Sequence, residues 1–322
     1  MKKYAIGFDI GGTKCAVILG EVSADKNILI LKKEKFATAD AASPQDCLLS
    51  MCSIARKFIA DIPFDEIAGV GISCGGPLDS KTGIIQSPPN LPGWDDIPAV
   101  EIVEKNLNLP AKLENDANAC ALAEWKFGAG RGTTDMIFLT FGTGLGAGII
   151  AGGNLIGGAS GMAGECGHIR LADEGPVGYG KAGSFEGFCS GGGIAQLGKS
   201  YAAKALADNA PTAWCQTTAD LDKITTKLLG DAAKANDIDA CKIFAQSGRK
   251  LGFGLSILID ILNPQKIVIG SVFARMENFI RPEMEKVIRE EALCHSAKVC
   301  QVVPAELGEA IGDIASLAII CG

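Results

Sequence analysis

The sequence predicts an α/β protein of two domains, each a mixed β-sheet flanked by helices, with a cleft between them. Three observations lead to that expectation. A chain of 322 residues exceeds what one hydrophobic core ordinarily serves, and 48% of it is hydrophobic. A β-hairpin followed by further β structure occurs once in each half, a repeat that an all-helical or all-β protein would not produce. Each hairpin turns through a glycine-rich segment, Phe8-Asp9-Ile10-Gly11-Gly12-Thr13-Lys14 and later Thr140-Phe141-Gly142-Thr143-Gly144-Leu145-Gly146. Glycine there permits positive φ and lets backbone N–H groups come close to a ligand. Two such turns, one per domain, suit the phosphate chain of a nucleotide held across a cleft.

Apolar runs place the first strands at Lys3–Ile10, Lys14–Gly20 and Asn27–Phe36. Leu48, Leu49, Cys52, Ile54, Ala55 and Ile59 mostly keep helical spacing, which predicts a helix near Gln45–Ala60. Ile67–Ser73 reads as a buried strand, and Pro88–Trp94 as a loop broken by proline and glycine. Lys112–Glu114 ends as a strand at Asn115-Asp116; a helix from Ala117 then stops at Gly128. After the second hairpin comes an irregular glycine-rich stretch from Gly152 to Gly193, then helical sequence from Ile194 to Leu262. The remainder predicts a strand at Gln265–Gly270, a helix at Met276–Ala292, a strand at Ala297–Val303 and a closing helix at Glu309–Ile320. The domains then comprise residues 1–115 with 306–322, and residues 116–305.

Thirty basic residues against 37 acidic ones give a net charge of −7 with no basic stripe, which argues against nucleic acid and anionic membranes as partners. No apolar run reaches membrane-spanning length, and the start, Met1-Lys2-Lys3-Tyr4-Ala5-Ile6, has no signal-peptide pattern. Twelve cysteines scattered through apolar contexts fit reduced, buried thiols better than a disulfide framework. The expectation is a cytoplasmic protein.

Neither hairpin is a Walker A loop, because Gly12-Thr13-Lys14 leads into a strand rather than a helix. Gly142-x-Gly144-x-x-Ala147 fits a relaxed dinucleotide fingerprint, but no helical periodicity follows to receive a pyrophosphate. A glycine hairpin alone is often only a turn. Asp9 adds chemistry, since a carboxylate at the end of a buried strand is costly without a cation or donors nearby. Asp116 could simply cap its helix, or serve as a general base toward a substrate hydroxyl. Glu165-Cys166-Gly167-His168 pairs an acceptor with a donor three residues apart, suited to vicinal hydroxyls. His295, in a charged helix end, reads as merely exposed.

In this order and spacing, three segments make the chain resemble the ROK family of repressors and sugar kinases, within the actin–hexokinase superfamily. They are Asp9-Ile10-Gly11-Gly12-Thr13-Lys14, Asn115-Asp116-Ala117-Asn118-Ala119 and Gly142-Thr143-Gly144-Leu145-Gly146-Ala147-Gly148, and the likeness covers essentially the whole chain. The resemblance implies two ribonuclease-H-like domains and transfer of phosphate from ATP to a sugar, at the 6-hydroxyl of a hexose. It makes Asp116 the catalytic base and Asp9 a partner of magnesium. Gly11, Gly12, Thr13, Lys14, Gly142, Thr143, Gly144 and Gly270 would serve ATP, and Gly76, Asn90, Asn115, Asp116, Glu165, His168 and Glu186 the sugar. It also implies a homodimer.

The chain departs from the family's zinc motif. Val177, Tyr179 and Ser184 stand where that motif has cysteines, while its glycines and Glu186 remain, so His168 lacks a tetrahedral set and no structural zinc is expected. Tyr179 and Phe185 are then expected to hold the loop by packing. Ile269-Gly270-Ser271 and Gly312-Asp313 also depart from family habit, on the nucleotide side. Glucose, N-acetylglucosamine, N-acetylmannosamine, mannose, allose and fructose all remain open as substrates. The alternatives are a repressor, for which Asp9 leaves no room for a preceding helix-turn-helix, and a non-catalytic sugar sensor.

Overall fold

A computed structural model describes residues 3–23 and 27–321; the outermost residues of the expected segments 1–115 and 306–322 (1, 2 and 322) lie outside it. In the first half, strands β1 (Tyr4–Ile10), β2 (Lys14–Val22), β3 (Ile28–Ala37) and β4 (Ile67–Cys74) precede three two-residue strands, β5 (Leu78–Asp79), β6 (Ile84–Ile85) and β7 (Ile97–Pro98), and then β8 (Ala111–Asn115). The second half has β9 (Met136–Leu139), β10 (Ala147–Ala151), β11 (Asn154–Leu155), the short hairpin β12 (Val177–Gly178) and β13 (Lys181–Ala182), β14 (Lys266–Ile269) and β15 (Gln301–Pro304).

Among the described residues two five-stranded sheets form, in the orders β3-β2-β1-β4-β8 and β11-β10-β9-β14-β15. In each, three strands run antiparallel and the last two join parallel, so the two halves share one topology. The repeat read from sequence is a repeat of this sheet.

Helices fill the layers around the sheets. They are α1 (Pro44–Ile59), α2 (Ala99–Leu107), α3 (Asp116–Phe127), α4 (Phe185–Phe188), α5 (Gly191–Ala207), α6 (Thr226–Lys234), α7 (Ile238–Leu262), α8 (Val272–Glu291), α9 (Cys294–Val299) and α10 (Ile311–Ile320). Side chains alternate across a strand, so each sheet buries both faces separately. Ile6, Phe8 and Ile10 of β1 pack toward α1 and α2, while Ala5 packs with α3 and α10. In the second sheet Met136, Phe138 and Val268 meet Ala121 of α3, and Ile137, Leu139, Ile267 and Ile269 face the large core of α4–α8. Helix α3 is therefore packed on both sides, which explains its alanine-rich composition: small side chains let two sheets approach it.

Several boundaries differ from the sequence reading. Apolar sequence at 297–303 is not one strand: α9 ends at Val299, and only Gln301–Pro304 pair with β14. The tract 194–262 is interrupted, because residues 208–225 hold turns and one 3₁₀ segment between α5 and α6. Residues 152–193 are less irregular than expected; Ser184 and Ser190 cap α4 and α5 by accepting hydrogen bonds from Gly187 and Gly193, each at 3.0 Å. Met276, the expected start of a helix, is instead a kink inside α8. Helix α2 escaped the sequence reading altogether. Of the twelve thiols, eight are buried and only Cys294 is exposed.

Candidate active site

Parallel pairing fixes where the chemistry collects. The register Asp9↔Ser73 and Ile10↔Cys74, then Cys74↔Asn115, brings the carboxyl ends of β1, β4 and β8 to one rim. In the second sheet Leu139↔Ile269 does the same for the ends of β9 and β14. Ligands of open α/β sheets bind outside such strand ends, where the chain turns and backbone groups are free.

The first hairpin is braced from Thr38, just past the end of β3. Gly11 donates to the Lys14 carbonyl at 3.1 Å, and the Thr38 hydroxyl donates to the Gly11 carbonyl at 2.7 Å. In the second, Gly142 donates to Gly144 at 2.9 Å, and Gly146 donates to the Thr140 hydroxyl, also at 2.9 Å. Among the described residues, the N–H groups of Gly12, Thr13, Thr143 and Gly144 have no protein partner. Positive φ does not explain the glycines: none of Gly11, Gly12, Gly142, Gly144 or Gly146 adopts it, whereas Phe141 does, at 35°. Close approach does. A Cβ on Gly12 would lie 2.3 Å from the Asn90 carbonyl oxygen, and one on Gly144 would lie 2.7 Å from Glu186 Oε2.

Asn115 and Asp116 divide their tasks. The Asn115 side chain is the N-cap of α3, accepting from Ala117 N–H at 2.9 Å, so the cap considered for Asp116 belongs to its neighbour. Asp116 also accepts from Ala117 N–H, at 2.7 Å, and its carboxyl is open to a cavity of about 240 Å³. Asp116 stays accessible through the cavity mouth, yet the protein crowded around it pushes its pKa up, against the opposing backbone hydrogen bonds. Asp9 is raised from its ordinary 3.8 to about 6, first by burial and then by the negative charges of Asp313 and Asp116. Lys33, paired to Asp313, and Lys35 oppose that rise.

The cavity wall gathers Gly76, Asn115, Asp116, Glu165, His168 and Glu186, six of the seven positions expected to meet a sugar. Asn90 stands next to that wall, after Pro89, which lines it; its carbonyl abuts Gly12, and a Cβ on Gly75 would lie 3.6 Å from its side-chain oxygen. Glu186 also accepts from Leu145 N–H at 3.0 Å, tying the cavity to the second hairpin. Gly270 opens on a separate cavity of about 340 Å³ with Thr140, Ser271 and Arg275, the last paired to Glu309 at 2.7 Å.

Three features were missed. Asn118 lines the first cavity almost wholly buried, its Nδ2 donating to Glu114 at 3.0 Å and its Oδ1 without a partner. The glycine N-terminus of α5 touches the second hairpin, Gly191 N–H donating to the Gly142 carbonyl at 2.7 Å; Ser190-Gly191-Gly192-Gly193 was a legible capping signal. Tyr179 was expected to pack inside the zinc-motif loop. Phe185 does so, fully buried, but Tyr179 is 75% exposed and stands against His168. Among the described residues no group of three His, Cys, Asp or Glu side chains is arranged to hold a metal ion.

Comparison with known proteins places this arrangement. Residues 5–320 match the profile of the ROK family. A glucokinase of Halalkalibacterium halodurans is 33% identical, over 97% of this chain and 93% of its own. A xylose repressor of Caldicellulosiruptor bescii is 28% identical, over 89% of this chain and 70% of its own. The structure of a ROK family glucokinase from Streptomyces griseus in complex with glucose and AMPPNP superposes with a TM-score of 0.74 at 32% identity, covering 98% of both chains. With the three motifs, the doubled sheet and a match from end to end, the chain belongs to the ROK family and has its actin/hexokinase-type fold.

Proposed function

We propose that this protein is an ATP-dependent sugar kinase that phosphorylates a hydroxyl of a hexose or N-acetylhexosamine, the 6-hydroxyl in a glucokinase-like reaction. One observation carries the reading: a carboxyl with a raised pKa, Asp116, opens into a cavity bounded by polar groups suited to sugar hydroxyls and by the second glycine hairpin. The glucokinase relatives support the same class of reaction.

Phosphoryl transfer asks a protein mainly for positioning and charge stabilisation. Asp116 accepts the proton of the attacking hydroxyl, and its raised pKa makes it a stronger base than an ordinary aspartate. Unpartnered N–H groups of Gly12, Thr13, Thr143 and Gly144 meet phosphate oxygens from both halves. Asp9 and Asp116 bring like charges close enough to raise the Asp9 pKa, and Asp9 would help hold magnesium arriving with ATP, which would neutralise the phosphates. Asn115, Glu165, His168 and Glu186 orient the sugar. Closure of the two domains, 1–115 with 306–322 against 116–305, keeps water from competing as acceptor.

The test is a coupled ADP-release screen over hexoses and N-acetylhexosamines with ATP and magnesium, run beside Asp116→Asn. Sugar-dependent ADP release is expected, with the variant folded but about a hundredfold or more slower, the scale of a lost general base. A near-normal rate in the variant removes Asp116 from the mechanism. The repressor relatives motivate a second reading, a sugar-binding sensor without catalysis. Sugar binding without ADP release across the panel would favour it.

A further inference from the structure

The hairpin β12–β13 ends in a two-residue turn, with Gly178 paired to Lys181. Both central residues are left-handed, Tyr179 at φ 44° and Gly180 at φ 75°. A turn of this type favours Asn, Asp or Gly at its first central position, because a β-carbon there is strained. Tyrosine is an unfavourable choice for the turn, and its ring is not buried in compensation, being 75% exposed. Its immediate neighbour is His168, with ring centroids 5.3 Å apart and planes at 84°, and both residues line the cavity that holds Asp116.

The hairpin that presents this ring is firmly held. Gln196 clamps Val177 with two hydrogen bonds, accepting from its N–H and donating to its carbonyl, each at 2.9 Å. Arg170 donates to the Ala182 carbonyl at 2.9 Å. Lys181 reaches back to the His168 carbonyl at 2.6 Å, so one hairpin grips His168 by both backbone and ring.

We propose that Tyr179 is a positioning residue for the acceptor: it fixes the plane of the His168 imidazole at the cavity rim and so sets how tightly the sugar is held. The aromatic pair restricts the ring without enclosing it. The inference rests on the sugar-kinase reading, since it takes the cavity to be the sugar's. It does not require that Tyr179 touch the reacting atoms.

The experiment compares Tyr179→Asn and Tyr179→Phe with the wild type. Asparagine suits the turn, so the hairpin survives while the ring is lost. The expected result is a sugar KM raised about three- to tenfold, the worth of an aromatic pair, with the KM for ATP and kcat within about twofold and no fall in melting temperature. Phenylalanine should restore most of the loss, because the ring contact remains. The chain has only two histidines, so proton NMR should show one imidazole signal moving in Tyr179→Asn and the other, His295, unmoved. The proposal is overturned if the sugar KM of an active Tyr179→Asn is unchanged. It is also overturned if neither histidine signal moves, or if the KM for ATP rises as much as that for sugar while the protein loses stability. A wild type that phosphorylates no sugar sinks the kinase reading instead, and the histidine signal, independent of turnover, still decides whether Tyr179 stands against the His168 ring.

Discussion

Asp9 illustrates how the role proposed for a side chain is set against the stability of its own fold. Its pKa of about 6 lies above the ordinary 3.8, so between those values the native state holds a proton that the unfolded chain releases. This group therefore makes the fold less stable as pH rises from about 4 to 6, and stays ionised and costly above that window. Asp9→Asn should raise the melting temperature by about 1–2 °C at pH 7.5, the shift that about 1 kcal/mol gives in a chain of this length, while abolishing phosphoryl transfer. In the wild type, kcat/KM for magnesium-ATP should fall as pH drops through about 6, where Asp9 takes up its proton. A profile flat from pH 5 to 8 would show that the ionised carboxylate is not needed. The sequence disclosed Asp9 and Asp116 through their neighbours in the motifs. It did not disclose that Asn115 takes over the helix cap, because that depends on backbone geometry at the strand-to-helix junction.

The glycine hairpins were legible as tight turns, but their glycines are needed for a reason the turn chemistry did not supply. Their glycines are needed for what presses against them, Asn90 on the first and Glu186 on the second, which lie 78 and 42 residues further along the chain. Gly12→Ala should therefore push the hairpin off the Asn90 carbonyl and raise the KM for ATP at least about tenfold, with the sugar KM much less affected. Equal effects on both substrates would mean that the strain spreads through the whole cleft. The same limit explains the missed boundaries at 272–304. Apolar composition marked Ala297–Val303 as buried β structure, whereas pairing with β14 admits only four residues, and the preceding ones reverse the chain as α9.

The molecule is assembled around α3 and α10. Helix α10 returns the end of the chain to the first sheet and packs so closely that a Cβ on Gly71 would lie 1.9 Å from the Ser316 carbonyl oxygen. Gly71→Ala should cost about 1–3 kcal/mol by overpacking, lowering the thermal midpoint without altering the KM ratio of the two substrates. An unchanged midpoint would mean that α10 is free to shift. Glu124, fully buried near the end of α3, accepts from the N–H groups of Ala129, Glu306 and Leu307 at 2.8, 3.2 and 3.0 Å. One carboxylate thus fastens the loop after α3 to the strand-to-helix link that leads into α10. Nothing in its local sequence distinguished Glu124 from a surface glutamate.

From residue order alone came the α/β class, the doubled unit, the three motifs and most of the residues that meet at the cavity. Those are local properties: strand periodicity, glycine spacing, and acidic residues at strand ends. Tertiary structure decided which groups press on one another. It set the burial and like charges that raise Asp9, and placed the Asn90 carbonyl behind Gly12. It also turned Tyr179 outward onto His168 rather than into a core. These outcomes depend on distances between segments far apart in the chain, fixed by strand register and helix packing, which no local pattern encodes.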